Sequence, residues 1–240
     1  MVVSVTSLQP VAVKKKMKKF IIRYRKYLAG LLIVLLIGYY FCLPDKLFDD
    51  PYSTVLEDYH GELLAASIAD DGQWRFPELD TVPEKFAAAI VTYEDKRFWN
   101  HPGVDILSVG RAVKQNLKAK RIVSGGSTID MQVIRLSRKG KSRTFFEKVI
   151  ESVLATRLEL RYSKEEVLAL YASHAPFGGN VVGLEAACWR YFGRDPQELS
   201  WAEAAMLAVL PNSPALIHPG RNRDELLVKR NKKPGFCLKY

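Results

Sequence analysis

The first 44 residues contain no acidic side chain, and the eighteen from Tyr27 to Pro44 carry no charge of either sign. Eight of the 36 bases fall in residues 1–44, leaving 28 bases against 26 acids in the rest. The net charge of +10 therefore belongs to the N-terminus and marks no basic domain for nucleic acid. Cysteine is scarce: Cys42, Cys188 and Cys237 are too dispersed for a disulfide framework or a metal-ligand spacing and read as packing residues. Internal repeats are absent, and so is low complexity beyond the N-terminal lysines. No Gly-Lys-Ser/Thr stands at phosphate-loop spacing after the Gly125-Gly126 pair, which excludes a nucleotide phosphate loop. With 48% hydrophobic residues the chain has enough apolar surface for a core, which excludes global disorder.

What is present begins with "YLAGLLIVLLIGYYFCLP", residues 27–44. About 20 apolar residues span a bilayer, and Phe20, Ile21 and Ile22 extend the run across snorkelling Arg and Lys. Tyr39, Tyr40 and Phe41 suit an interfacial aromatic belt. A cleaved signal peptide would have a shorter apolar region and an Ala-x-Ala-like site, which does not follow Leu43. The run is expected to be an uncleaved anchor. A basic N-terminus, residues 1–26, stays cytoplasmic and residues 45–240 lie outside the plasma membrane.

Within a ribbon and linker segment, residues 45–80, residues 52–76 alternate as two or three short strands of a small ribbon, with turns at His60-Gly61 and Asp71-Gly72. From Pro83 the period becomes helical, with Phe86, Ile90 and Tyr93 on one face. A second helix is expected over Ile106–Leu117, capped by Asp105, with Ile106, Val109, Val113 and Leu117 inward. Others are expected at Ile129–Leu136 and Thr144–Leu160. Ser163-x-x-Glu166 and Ser200-x-x-Glu203 are capping boxes for two more. The reading is a mainly α domain over residues 81–220, followed by an atypical tail, residues 221–240.

Three stretches bear candidate chemistry. In "YEDKRFWNHPGVD", Glu94 and Asp95 fall at a helix C-terminus, where the macrodipole disfavours acids. A turn cap and a functional carboxylate both fit; Tyr93, Phe98 and Trp99 would shield a carboxylate and raise its pKa toward that of a general base. In "SGGSTIDMQVIR", glycines and hydroxyls enter a helix N-terminus as in anion cradles, and Gln132 and Arg135 share a face. On the long helix, Lys148 and Glu151 stand one turn apart, a spacing that an ordinary surface ion pair also satisfies.

"EDKRFWNHPGVD" resembles the E-D-x-x-F-x-x-H-x-G-x-D signature of family 51 glycosyltransferases, which polymerise peptidoglycan. "GGSTIDMQ", "KVIESVLATRLE", "RYSKEEVLALYASHAPFGGN", "VGLEAACWRYFGR" and "LSWAEAAMLAVLPNSP" resemble the family's later blocks, in order. The ribbon and "APFGGN" look most like class A penicillin-binding proteins of the 1C type. No Ser-x-x-Lys or Lys-Thr-Gly of a transpeptidase occurs in these 240 residues. The ending "NKKPGFCLKY" departs from the family's onward linker and points to a truncated or frameshifted product.

The resemblance implies a lysozyme-like glycosyltransferase fold, preceded by one transmembrane helix, at the bacterial inner membrane with the catalytic domain periplasmic. It implies that lipid II is joined to a growing glycan strand with inversion and loss of undecaprenyl pyrophosphate, with other cell-wall synthesis proteins as partners. Glu94 would be the general base and Asp95 its support. Glu151 would stand by the pyrophosphate and hold a divalent cation, Mg2+ or Mn2+. Lys148, Arg135 and Arg143 would bind the pyrophosphate, and Ser127, Thr128 and Gln132 would shape its subsite. His101 and Asp105 would fix the loop. Val104, Ile106 and Leu107 would either dip into the outer leaflet or join the core. Departures from the pattern are Asp130 for Thr, Glu147 for a base, Ala169 for Glu and Ser173 for Asn. Asp130 and Glu147 are expected to weaken binding of an anionic substrate. A catalytically impaired, membrane-anchored scaffold that binds lipid II or cell-wall synthesis proteins is the alternative that these acids and the abrupt C-terminus motivate. A lysozyme-like hydrolase is a third reading, against which the cation-flanked second glutamate argues.

Overall fold

The structure, a computed structural model, describes residues 10–121, 125–139, 141, 142, 144–212 and 226–228, with side chains from residue 23 onward. The chain divides into two compact units, Met1–Pro44 and Asp45–Tyr240. In the first, α1 (Pro10–Tyr40) is one 31-residue helix. Its side chains from Leu31 to Ile37 are all more than half exposed, and Cys42 beyond it is exposed. Among the described residues no helix is long and apolar enough to cross a membrane.

The second unit opens with β1 (Thr54–Glu57) and β2 (Leu63–Ser67), an antiparallel ribbon. Its turn forms at His60-Gly61 because the Asp58 carboxylate accepts the backbone N–H groups of His60 and Glu62, both at 2.8 Å, and Gly61 takes φ +85°. The third strand does not join this ribbon. β3 (Trp74–Arg75) pairs in parallel with β5 (Val181–Val182), which pairs with β4 (Pro176–Gly178) in antiparallel fashion. That partner lies about a hundred residues on, beyond the reach of a local alternation pattern. Buried Arg75 ties the corner, donating to Pro51 O at 2.6 Å and to Asp71 at 3.0 Å.

The body is helical: α2 (Glu84–Glu94), α3 (Ile106–Ala119), α4 (Ile129–Ser137), α5 (Phe145–Glu159), α6 (Lys164–His174), α7 (Leu184–Phe192) and α8 (Trp201–Val209). Both capping boxes form, Ser163 with Glu166 and Ser200 with Glu203. α2 packs on α8, where Ala204, Ala205 and Ala208 are buried opposite a face containing Phe86, Ala89 and Ile90. α4 packs on α5 and α6. Phe86 and Phe177 meet at 6.0 Å between ring centroids, and Cys188 is buried in α7.

The expected inward face of α3 is overturned. Ile106, Val113 and Leu117 are 79%, 52% and 74% exposed, and among the residues of α3 only Ala112 is buried. A periodic apolar stripe shows that a helix has a face, not what covers it.

Glu185, half-buried in the first turn of α7, has its carboxyl pushed up to about 7 by burial and then by the charges of Glu57 and Asp195. A raised acid favours the fold below the unfolded value of 4.5 and loses that contribution as pH rises through 7. Glu185→Gln should therefore raise Tm at pH 8 by the equivalent of about 1 kcal/mol after solvent screening. The gain should vanish near pH 4.5, and melts at the two pH values that shift equally would disprove it.

Candidate active site

α2 ends on its two acids, and their side chains diverge. Glu94, half-buried, is the last helical residue; Asp95 is the C-cap, its backbone N–H bonded to Val91 O at 3.0 Å. Gln132 Nε2 donates to Glu94 Oε2 at 2.9 Å, and Asn212 Nδ2 donates to Oε1 at 3.3 Å. Arg135 in turn donates to Gln132 Oε1 at 3.3 Å, orienting the amide so that its N–H faces Glu94. Asp95 turns inward and is 6% exposed. Its Oδ2 lies 2.9 Å from His101 Nε2 and accepts the Ile129 backbone N–H at 3.2 Å. Phe98 is fully buried and packs edge-on against His101, so the expected aromatic shield falls on the Asp95 side, while Trp99 is half exposed.

The loop after α2 is held from both ends. Asp105 caps α3 by accepting the N–H groups of Leu107 (3.0 Å) and Ser108 (3.1 Å). Burial works to raise its carboxyl, but the Ser108 hydroxyl and amide and the Arg97 charge hold it below the usual range. Gly103 has φ +82°, and a Cβ there would lie 2.4 Å from Ala155 O on α5. Gly126 approaches α3 so closely that its Cβ would lie 2.9 Å from Val109 Cα.

Thr128, expected to shape the pyrophosphate subsite, uses its hydroxyl within the fold. It is buried as the N-cap of α4, accepting Met131 N–H at 3.2 Å and donating to Gly103 O at 2.6 Å. Ser127 beside it is half-buried. On α5, capped by Thr144, Glu151 is 7% exposed and Lys148 one turn earlier is exposed. α5 meets α4 where Ser152 Oγ stands 3.9 Å from Met131 Sδ. Arg143 and Cys237 lie outside the described residues.

The two acids expected to repel an anionic substrate do not face one. Asp130 is fully buried, its Oδ2 3.7 Å from Lys164 Nζ, and burial raises its carboxyl well above the usual range. Glu147 accepts from Arg138 Nε at 2.7 Å, a hydrogen bond that holds it below its ordinary value. Helix rotation, invisible in a motif, decides which way these side chains point.

Two residues that the motifs did not single out stand at Glu94. Asn212 arrives from the turn after α8. Tyr171, fully buried on α6, has its phenol pushed up by burial and then by the Glu94 charge, against Arg135. Their signal lay in "ALYASH" and "LPNSP", where neither is a titrating group at neutral pH. Glu151, the carboxylate expected to hold a cation, is buried on α5. Among the described residues the one cluster with metal-ligand spacing is elsewhere, at Asp95, His101 and Asp130.

Gly103→Ala should lower stability by about 3 kcal/mol, because the added carbon meets α5 backbone at a positive φ. Gly193→Ala, also at positive φ but with open space, should cost only about 1 kcal/mol. Equal melting temperatures for the two variants would refute the close-approach argument.

Residues 60–233 match the protein family described as Transglycosylase. Penicillin-binding protein 1C of Escherichia coli (strain K12) is 45% identical over 163 residues, 68% of this chain and 21% of that protein. Penicillin-binding protein 1A of Aquifex aeolicus (strain VF5) is 36% identical over 204 residues, 83% of this chain and 28% of that protein. The crystal structure of Penicillin-Binding Protein 1A from Haemophilus influenzae aligns with 77% of this chain and 18% of that one, at 19% identity and a TM-score of 0.39. The chain thus spans 21% to 28% of the length of these two curated relatives. With a matched segment that runs from the ribbon turn through Glu94, α4 and α5, the chain belongs to the transglycosylase family.

Proposed function

We propose that this chain is a peptidoglycan glycosyltransferase that polymerises lipid II into β-1,4 glycan strands and releases undecaprenyl pyrophosphate. The observation that carries the reading is the Glu94 carboxylate, half-buried, with one oxygen held by Gln132 and the other by Asn212. A carboxylate held on both oxygens by amide donors keeps its orientation, as a base for an attacking hydroxyl requires. In the proposed reaction the 4-hydroxyl of the acceptor sugar loses its proton to Glu94 as its oxygen bonds to the anomeric carbon of the growing strand. The bond to the pyrophosphate oxygen breaks on the opposite face, which inverts the centre.

Lys148 and Arg135 bring positive charge for the pyrophosphate as it departs, with Ser127 beside them and Arg143 a further cation. A divalent cation, Mg2+ or Mn2+, held by Glu151 would add charge stabilisation at the same leaving group. Asp95 positions the end of α2 from the interior and does not touch substrate. Asp130 is internal and Glu147 is paired, which weakens two of the features that favoured an inactive scaffold.

The reading includes an inner-membrane anchor over residues 27–44, with the catalytic unit periplasmic and other cell-wall synthesis proteins nearby. Exposed apolar side chains from Leu31 to Ile37 support it. Exposed Ile106, Leu107 and Leu117 on α3, with Phe145 and Phe146 on α5, favour contact with the outer leaflet over burial in the core. A shared membrane confines enzyme and lipid-linked substrate to two dimensions and raises their effective concentration.

Detergent-solubilised chain incubated with labelled lipid II and Mn2+ should form polymer, and Glu94→Gln should slow it about 10³-fold. Wild type that binds lipid II without polymerising it would overturn the reading in favour of a scaffold; cleavage of preformed glycan would overturn it in favour of a hydrolase. Gln132→Ala should lower kcat about 10-fold while leaving Tm within about 1 °C, since it frees one Glu94 oxygen without opening the core. An unchanged kcat would show that the amide does not orient the base.

A further inference from the structure

Behind Glu94, on the side away from the half-exposed carboxylate, four elements bring charged groups into the interior. Asp95 comes from the end of α2, His101 from the loop after it, Asp130 from the first turn of α4, and Lys164 from the first position of α6. Asp95, His101 and Asp130 are all buried, and one ligand atom from each lies within 4.8 Å of the others. Glu159 at the end of α5 completes the group through an ion pair with Lys164. Lys164 also stands 4.3 Å from the Phe98 ring centroid.

Two features are not explained by these partners. Both oxygens of the Asp130 carboxylate, which is fully buried, lack a hydrogen-bond partner, and its approach to Lys164 at 3.7 Å is an ion pair without direct bonding. A buried carboxylate without donors is costly unless an ion or a water meets it. Asp95, Asp130 and Glu159 also place three acidic side chains around the single ammonium of Lys164.

We propose that Asp95, His101 and Asp130 form a buried structural site for a divalent transition-metal ion, with Zn2+ as its best match. One imidazole nitrogen and carboxylate oxygens are ligands that zinc accepts, with a water as the fourth, whereas Ca2+ and Mg2+ prefer oxygen alone. Metal–ligand distances of about 2.1 Å at tetrahedral angles put ligand atoms about 3.4 Å apart, so the present cluster, within 4.8 Å, closes with side-chain shifts of about 1 Å. His101 Nε2 and Asp95 Oδ2, at 2.9 Å, already have the spacing of two ligands on one ion. The ion would staple the end of α2 to the first turn of α4, the two elements that carry Glu94 and Gln132. It is distinct from a cation at Glu151, which would be shared with substrate.

The test is zinc content and melting temperature of the full chain in detergent, stripped with chelator and titrated with zinc sulfate. Wild type and Glu151→Gln should each retain about one zinc and gain Tm. Asp130→Asn and Asp130→Thr should weaken zinc affinity about 100-fold or more. Circular dichroism establishes that each variant is folded, and zinc-edge absorption of the wild type should show an N/O shell with one imidazole. Wild type that keeps no zinc, Asp130 variants that keep it, loss confined to Glu151→Gln, or a zinc shell without imidazole would each overturn the site. None of these readouts depends on glycan synthesis, so the outcome stands apart from that of the polymerisation assay.

Discussion

The hydrogen bond from the Ile129 backbone N–H to Asp95 Oδ2, 3.2 Å long, is the constraint on which the rest of the site depends. Asp95 ends α2, where the macrodipole opposes a negative charge, yet its carboxylate reaches the N-terminus of α4, where the dipole favours one. The charge unfavourable to one helix is thereby favourable to the next. The same oxygen meets His101, so the acid, the loop and the helix entry are fixed together. With Asp95 turned inward, its neighbour Glu94 can stand half-open, and Gln132, one turn along α4, falls within reach of it.

Glycine and threonine complete the junction by permitting and then locking close approach. Gly103 lets its loop lie against the α5 backbone, and Thr128 takes the carbonyl of that glycine as an acceptor while capping α4. The helices that carry Glu94 and the buried Glu151 are therefore related through backbone contacts instead of long side chains. Such contacts leave little slack, which suits a site whose groups must hold position without occupying the substrate's space.

Much of this was legible in the sequence because it is local. The helix starts at Thr128, Thr144, Ser163 and Ser200, and the Asp105 cap, follow from short-range chemistry that a few residues determine. The ribbon turn at His60-Gly61 is local in the same way. What could not be read depended on partners far along the chain or on rotation about a helix axis. β3 needed β5, about a hundred residues later, and Thr128 needed Gly103 to give its hydroxyl a structural use. Asp130 and Glu147 looked like surface charges until the turn of each helix sent one to Lys164 and the other to Arg138. The α3 stripe gave the period correctly and the covering medium wrongly, since an apolar face has the same spacing whether it meets core or lipid. Asn212 carries no charge and had no motif role to announce it.

The reach from Asn212 to Glu94 spans 118 residues. Bringing such distant segments together costs chain entropy that only the assembled core repays. During synthesis from the N-terminus, Glu94 emerges early, but its second amide partner is made only after α8. The carboxylate is therefore clasped on both oxygens only when nearly the whole domain has formed. A partly folded chain would hold the acid without its full clasp, and completion of that clasp becomes a late event in folding.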